Sequence, residues 1–152
     1  MMATLNRGNE ITIMIAEDDD GHAELIKDNL REAGVSNEII RFRDGQEVLD
    51  CLLPATPKQA GGKLPLSLLL LDIRMPRVDG VEVLRRLKAD PSTRNIPVIM
   101  LTTTDDPREI QQCYELGCNC YITKPVEYQK FAEVMSRLGL FLIIIQLPGT
   151  NQ

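Results

Sequence analysis

The sequence predicts a doubly wound α/β fold, in which a five-stranded parallel sheet carries helices on both faces. Three observations predict it. Short apolar runs alternate five times with stretches of helical periodicity. The connections between most of them are short, as they are in units built from alternating strands and helices. The central run, Leu68-Leu69-Leu70-Leu71, is apolar without alternation, as a strand covered on both faces must be. The chain has 152 residues, enough for one packed core and too few for two ordinary domains.

Residues 1–10 form a polar lead-in without periodicity. Residues 11–16 are the first strand, ending in the acidic run Glu17, Asp18, Asp19 and Asp20. Ala23, Ile26, Leu30 and Ala33 then recur at helical spacing until Gly34 closes the pattern. Residues 38–42 give a short second strand, and Asp44 caps a helix with Val48, Leu49 and Leu52 on one side, stopped by Pro54. Residues 54–65, with three prolines and two adjacent glycines, are a loop rather than a domain linker, because too little chain precedes them to make a separate core. Residues 66–71 are the central strand. Residues 80–87 are the third helix, burying Val81, Val83, Leu84 and Leu87, and residues 97–101 are the fourth strand, followed by threonines at 102, 103 and 104. Asp105 or Asp106 caps the fourth helix, whose first turn suits Pro107 and which ends at Gly117. Residues 120–123 are the fifth strand, stopped by Lys124-Pro125, and Tyr128, Phe131, Met135 and Leu138 mark a last amphipathic helix. The domain is thus expected over residues 11–138, with an apolar extension over 139–152.

Composition narrows the function. A net charge of −5 argues against general binding to a nucleic-acid backbone. Of four cysteines, Cys113, Cys118 and Cys120 fall within eight positions, while Cys51 and the single histidine, His22, lie elsewhere in the sequence. Zinc would need a second ligand cluster, so small buried thiols in a reducing compartment are expected. No apolar run reaches the roughly 20 residues needed to cross a bilayer, and the amino terminus has no basic segment leading into an apolar one. A cytoplasmic protein is expected.

Sheets of this kind bind ligands beyond the carboxyl ends of their strands. The ends of the first, third, fourth and fifth strands carry Glu17 and Asp18, Asp72, Thr102 and Lys124. Three crowded carboxylates raise one another's pKa unless a cation enters, and Mg2+ suits oxygen ligands where coordination positions are left for water and phosphate. Lys124 adds a compact positive charge and Thr102 a hydroxyl. A phosphoryl group on one carboxylate would satisfy all of these groups, and Asp72, ionised beside metal and lysine, can be the attacking group. Each residue also has a plainer reading. Acidic residues after a strand cap the next helix, as Asp19 or Asp20 does; Asp72 can simply end its strand; a lysine before proline can lie on the surface; a threonine can bond nearby backbone. Their joint occurrence at four strand ends favours a site. A hydrolytic or phosphotransfer enzyme using the same aspartyl nucleophile is the competing class, although no insertion large enough to cover a substrate stands near the rim. A nucleotide-binding module lacks its glycine-rich turn after the first strand.

The stretches "IAEDD", "LLLLDIRMPRVDG", "MLTTT" and "YITKP" together resemble the receiver domain of two-component response regulators over about residues 11–138. The resemblance implies a flavodoxin-like sheet of order 2-1-3-4-5 and assigns Asp72 as the phosphoacceptor. It implies Mg2+ held by Asp18, by Glu17 largely through water, by Asp72 and by the backbone carbonyl of Arg74. It implies that Thr102 contacts the phosphoryl oxygens, that Lys124 pairs with them, and that Tyr121 is the aromatic switch that turns inward in the active state. The Lys124-Pro125 peptide corresponds to one that is usually cis. Glu17 stands where aspartate is commoner, and Thr103 where a small residue is common. The proline- and glycine-bearing loop before the third strand, the stretch "LKADPSTRNIPVIMLTTT" and the apolar tail are similar to single-domain regulators paired with cyanobacterial phytochrome kinases, which lack an output domain.

The resemblance further implies a sensor histidine kinase of phytochrome type as partner, at most self-phosphorylation and self-dephosphorylation rather than turnover, and a homodimer formed through the surface of the fourth helix, fifth strand and fifth helix. His22, at the start of the first helix, is expected to be an ordinary helix-surface or capping-region residue. Residues 140–145 are six consecutive apolar residues that one amphipathic helix cannot bury on a single face. The tail either folds across its own domain or associates with a second copy or another protein; membrane contact lacks both spanning length and a basic flank.

Overall fold

The computed structural model describes residues 11–53 and 66–144. The lead-in at 1–10, the loop at 54–65 and the end of the tail from 145 lie outside the described residues. Five strands, β1 (Thr12–Ala16), β2 (Ile39–Phe42), β3 (Ser67–Leu71), β4 (Val98–Thr102) and β5 (Cys120–Thr123), alternate with five helices, α1 (Asp20–Glu32), α2 (Gly45–Leu52), α3 (Gly80–Ala89), α4 (Pro107–Leu116) and α5 (Tyr128–Ile144). All strand pairs are parallel, in the order β2-β1-β3-β4-β5.

Strand periodicity divides the core. Met14, Ala16, Leu69, Leu71, Val98 and Met100 face α2, α3 and the Cys113 side of α4. Ile13, Ile15, Leu68, Leu70, Ile99 and Leu101 face α1 and α5. Because helices cover both faces of β3, Leu69 and Leu71 pack against one layer and Leu68 and Leu70 against the other, which is why Leu68 to Leu71 show no alternation. Each such leucine is stabilised by roughly 1.5–3 kcal/mol relative to an exposed one.

The helix starts follow the sequence closely. Asp19, Asp44, Asp79 and Asp106 are N-caps whose side chains accept from the backbone N–H of His22, Glu47, Glu82 and Arg108. Pro107 occupies the first turn of α4, and Gly117 ends it at φ +112° in the left-handed region. The α5 helix continues past Leu138 to Ile144. Gly139 permits close packing on α1, since a Cβ there would lie 2.6 Å from that of Ala33. Beyond it Leu140, Phe141 and Ile143 remain more than half exposed, at 58%, 52% and 51%. No helix among the described residues is long and apolar enough to cross a membrane.

Candidate functional site

Pairing of Ala16 with Leu71 brings the next residues, Glu17 and Asp72, to the same level at the carboxyl edge of the sheet. The Asp72 N–H donates to Ala16 O at 3.1 Å, and the Glu17 N–H to Phe42 O at 3.0 Å, so the backbone beneath both carboxylates is still sheet-bonded. Asp72 Oδ1 accepts from the Ile73 N–H at 2.7 Å. Behind it, Gly80 lies so close that a Cβ would stand 2.0 Å from Asp72 O, which leaves no room for any side chain. Glu17 and Asp72 are buried and Asp18 is exposed, yet carboxylate oxygens of all three lie within 4.8 Å of one another.

Lys124 enters from β5, whose edge is continued by a bond from the Lys124 N–H to Thr102 O at 2.7 Å. Its ammonium, 2% exposed, donates to Glu17 Oε1 and lies 3.4 Å from Asp72 Oδ2. Burial pushes the Glu17 carboxyl up to about 7, with the negative Asp72 acting in the same direction, while Lys124 and the Asp19 N–H pull it down. One lysine among three carboxylates leaves an excess of negative charge on hard oxygen donors. That donor set fits a divalent cation of the Mg2+ type. Glu17, Asp18 and Asp72 would hold it. Such an ion would neutralise the carboxylates and draw charge from oxygens of an incoming phosphoryl group.

Thr102 is fully buried at the end of β4, and its Oγ1 accepts a long contact, 3.5 Å, from the Thr104 N–H. Thr103 is exposed. Tyr121 is half-buried against the α2–α3–α4 side of the core, and its hydroxyl donates to Thr104 O at 2.7 Å. Burial, more than its charged neighbours, pushes that hydroxyl up to about 12, so it acts as a neutral donor. The ring therefore already ties β5 to the loop after Thr102. Arg74 reaches across the rim to Glu109 on α4, Nη2 to Oε2 3.3 Å.

Some expectations are corrected. The Lys124-Pro125 peptide is trans, as is every peptide among the described residues; a tertiary amide separates the two isomers by only about 0.5–1 kcal/mol, so surrounding contacts decide. Cys113 and Cys118 are buried, and burial pushes both thiols up to about 11, but Cys120 is half-buried and Cys51 is exposed on α2. His22 is not merely a surface residue: its Nδ1 lies 3.2 Å from Lys124 Nζ and 3.9 Å from Glu17 Oε2. Helical periodicity places it on the outer face, and only the tertiary position of the first turn of α1 reveals that its ring turns to the rim.

Arg41 was also missed. From β2 it donates to Glu17 O through Nε at 3.0 Å and Nη2 at 2.7 Å, and to Asp20 Oδ1 through Nη1 at 2.6 Å. It thereby fixes both ends of the acidic turn. A guanidinium inside the otherwise apolar strand "IIRF" was the available signal.

A profile of the response regulator receiver domain matches residues 13–136. A crystal structure of a response regulator receiver domain from Rhodospirillum rubrum superposes with a TM-score of 0.85 at 49% identity, covering 90% of this chain and 96% of that one. Response regulator Rcp1 of Synechocystis is 34% identical over 138 residues, 90% of this chain and 92% of its own length. The Mn2+-bound form of Rcp1 superposes with a TM-score of 0.81 at 29% identity, over 91% of this chain and 99% of that one. The phosphorylated cyanobacterial phytochrome response regulator RcpA gives a TM-score of 0.81 at 32% identity, with 91% and 98% covered.

Proposed function

The chain belongs to the response regulator receiver domain family, and from that premise we propose that Asp72 accepts a phosphoryl group from the phosphohistidine of a sensor histidine kinase, with Mg2+ held at Glu17, Asp18, Asp72 and the carbonyl of Arg74. The observation that carries this reading is the buried Lys124 ammonium, set between Glu17 and Asp72 beside three converging carboxylates. An Asp72 carboxylate oxygen attacks phosphorus, the P–N bond breaks, and its electron pair leaves with the imidazole. Lys124 meets negative charge on the phosphoryl oxygens, and Thr102 supplies a hydroxyl from the adjacent strand. Attack of water on phosphorus later restores the carboxylate and releases phosphate.

The added charge, about −1.5 to −2, biases two packings of the β4–β5 edge. Thr102 and Tyr121 are the groups that respond. The likeness to RcpA, a cyanobacterial phytochrome response regulator, supports a kinase of phytochrome type as the partner. A homodimer through α4, β5, α5 and the tail is supported by the exposed Leu140, Phe141 and Ile143, of which Phe141 lines a groove with Ile99, Cys120, Ile122, Val134, Arg137 and Leu138. A cytoplasmic location accords with the absence of a membrane-crossing helix among the described residues.

Incubation with Mg2+ and acetyl phosphate, followed by intact mass, tests the reading. One stoichiometric label, absent from Asp72→Asn, is the expected result. Continued turnover of a small phosphoester would instead indicate a phosphohydrolase or phosphotransferase. Light scattering before and after labelling, with and without residues 140–152, tests the dimer; an unchanged mass would remove it.

A further inference from the structure

An ammonium carries three N–H donors and no acceptor. Lys124 Nζ is almost closed to solvent, so those donors must find protein partners. The structure offers three: Glu17 Oε1, His22 Nδ1 at 3.2 Å and Asp72 Oδ2 at 3.4 Å. Since an ammonium only donates, a hydrogen bond between the two requires an unprotonated Nδ1, with the ring hydrogen on Nε2. His22 is itself held in place. Its N–H donates to the capping Asp19 Oδ1 at 2.9 Å, and its ring meets the Phe131 ring edge to face at 5.5 Å and 77°.

We propose that His22 is a positioning residue for phosphoryl transfer, serving as the third acceptor that aims the Lys124 ammonium at Asp72. This inference rests on Asp72 being the phosphoacceptor. The three contacts are unequal in a useful way: Glu17 is the tightest, and Asp72 is the longest. When Asp72 carries a phosphoryl group, the donor now directed at Oδ2 passes to a phosphoryl oxygen, while Glu17 and His22 keep the other two. Without the imidazole, one buried donor is orphaned, and the ammonium recovers a partner only by leaving the line to Asp72.

Two substitutions separate this role from packing. His22→Phe keeps a ring against Phe131 but offers no acceptor. His22→Asn removes the ring but restores an acceptor oxygen near the position of Nδ1. With saturating Mg2+ and acetyl phosphate, His22→Phe should label Asp72 roughly tenfold more slowly, the scale of one hydrogen bond to a charged group, at a melting temperature near that of the wild type. His22→Asn should recover to within about threefold. Nitrogen-15 NMR of the unmodified protein should show Nδ1 bare and Nε2 protonated.

Wild-type labelling rates in His22→Phe, equally slow labelling in both folded variants, or a hydrogen on Nδ1 would each overturn the role. A wild-type protein that takes no label on Asp72 defeats the phosphoacceptor assignment instead, and the NMR result still decides whether His22 accepts from Lys124.

Discussion

Strands β1 and β3 differ from β5 in burial, and under the proposed function that difference separates a fixed part of the site from a responsive one. Every residue of β1 and β3 is buried, and both strands are paired on two sides. No residue of β5 is fully buried, and among the described residues it is bonded only to β4. The carboxylates stand on the first pair of strands, whereas Lys124 and Tyr121 come from the second kind. A group that must hold metal and take up phosphate at a set distance belongs on rigid backbone, while a group that reports the event needs an edge able to shift.

The largest expected effect lies on the fixed side. Asp72→Asn should abolish Mg2+-dependent labelling entirely, read by intact mass, and keep the fold, read by circular dichroism. Leu70→Ala on β3 should then cost about 2–5 kcal/mol of stability in urea denaturation, against about 1 kcal/mol for Ile122→Ala on β5, because a half-exposed side chain leaves a smaller cavity. Equal losses would erase the distinction between the strands.

A pH series sharpens the comparison within the fixed part. Glu17 is held up at about 7 from an ordinary 4.5, chiefly by burial, so folding favours its protonated form. The stability it contributes is full below pH 4.5 and is lost as pH rises through about 7. Metal-free protein, prepared with a chelator, should therefore lose denaturation midpoint across that window. Mg2+ affinity, followed by calorimetry, should rise over the same window, because the ion takes the ionised carboxylate. A Mg2+ affinity independent of pH there would place Glu17 outside the ion's influence.

The smallest chemical effect belongs to the responsive part. Tyr121→Ala removes the bond to Thr104 O but touches no carboxylate. Asp72 labelling should stay largely intact while phospho-stimulated association weakens in light scattering; unchanged association would remove Tyr121 from the switch.

The same division explains what the sequence revealed. The parallel sheet and the rim were legible because they depend on runs of apolar residues and on residues directly following them, such as Glu17 after Ala16 and Asp72 after Leu71, whereas the strand order came from the resemblance to receiver domains. The residues that escaped reach the rim sideways. His22 lies in a helical turn and Arg41 inside a strand, and their side-chain directions are set by packing between elements rather than by local periodicity. The Lys124-Pro125 isomer was likewise illegible, since proline makes both forms accessible and the tertiary structure selects one. The continuation of α5 through Ile144 was hidden by a run too apolar to show a helical face.

The most direct test of the central claim locates the label itself. Borohydride reduces an aspartyl phosphate to homoserine, and the tryptic peptide spanning residues 64–74 contains Asp72 as its sole carboxylate side chain. After treatment with Mg2+ and acetyl phosphate, mass spectrometry should find homoserine at position 72 in that peptide and at no other carboxylate. Reduction products at Glu17 or Asp18, or an unmodified Asp72 in fully labelled protein, would contradict the account.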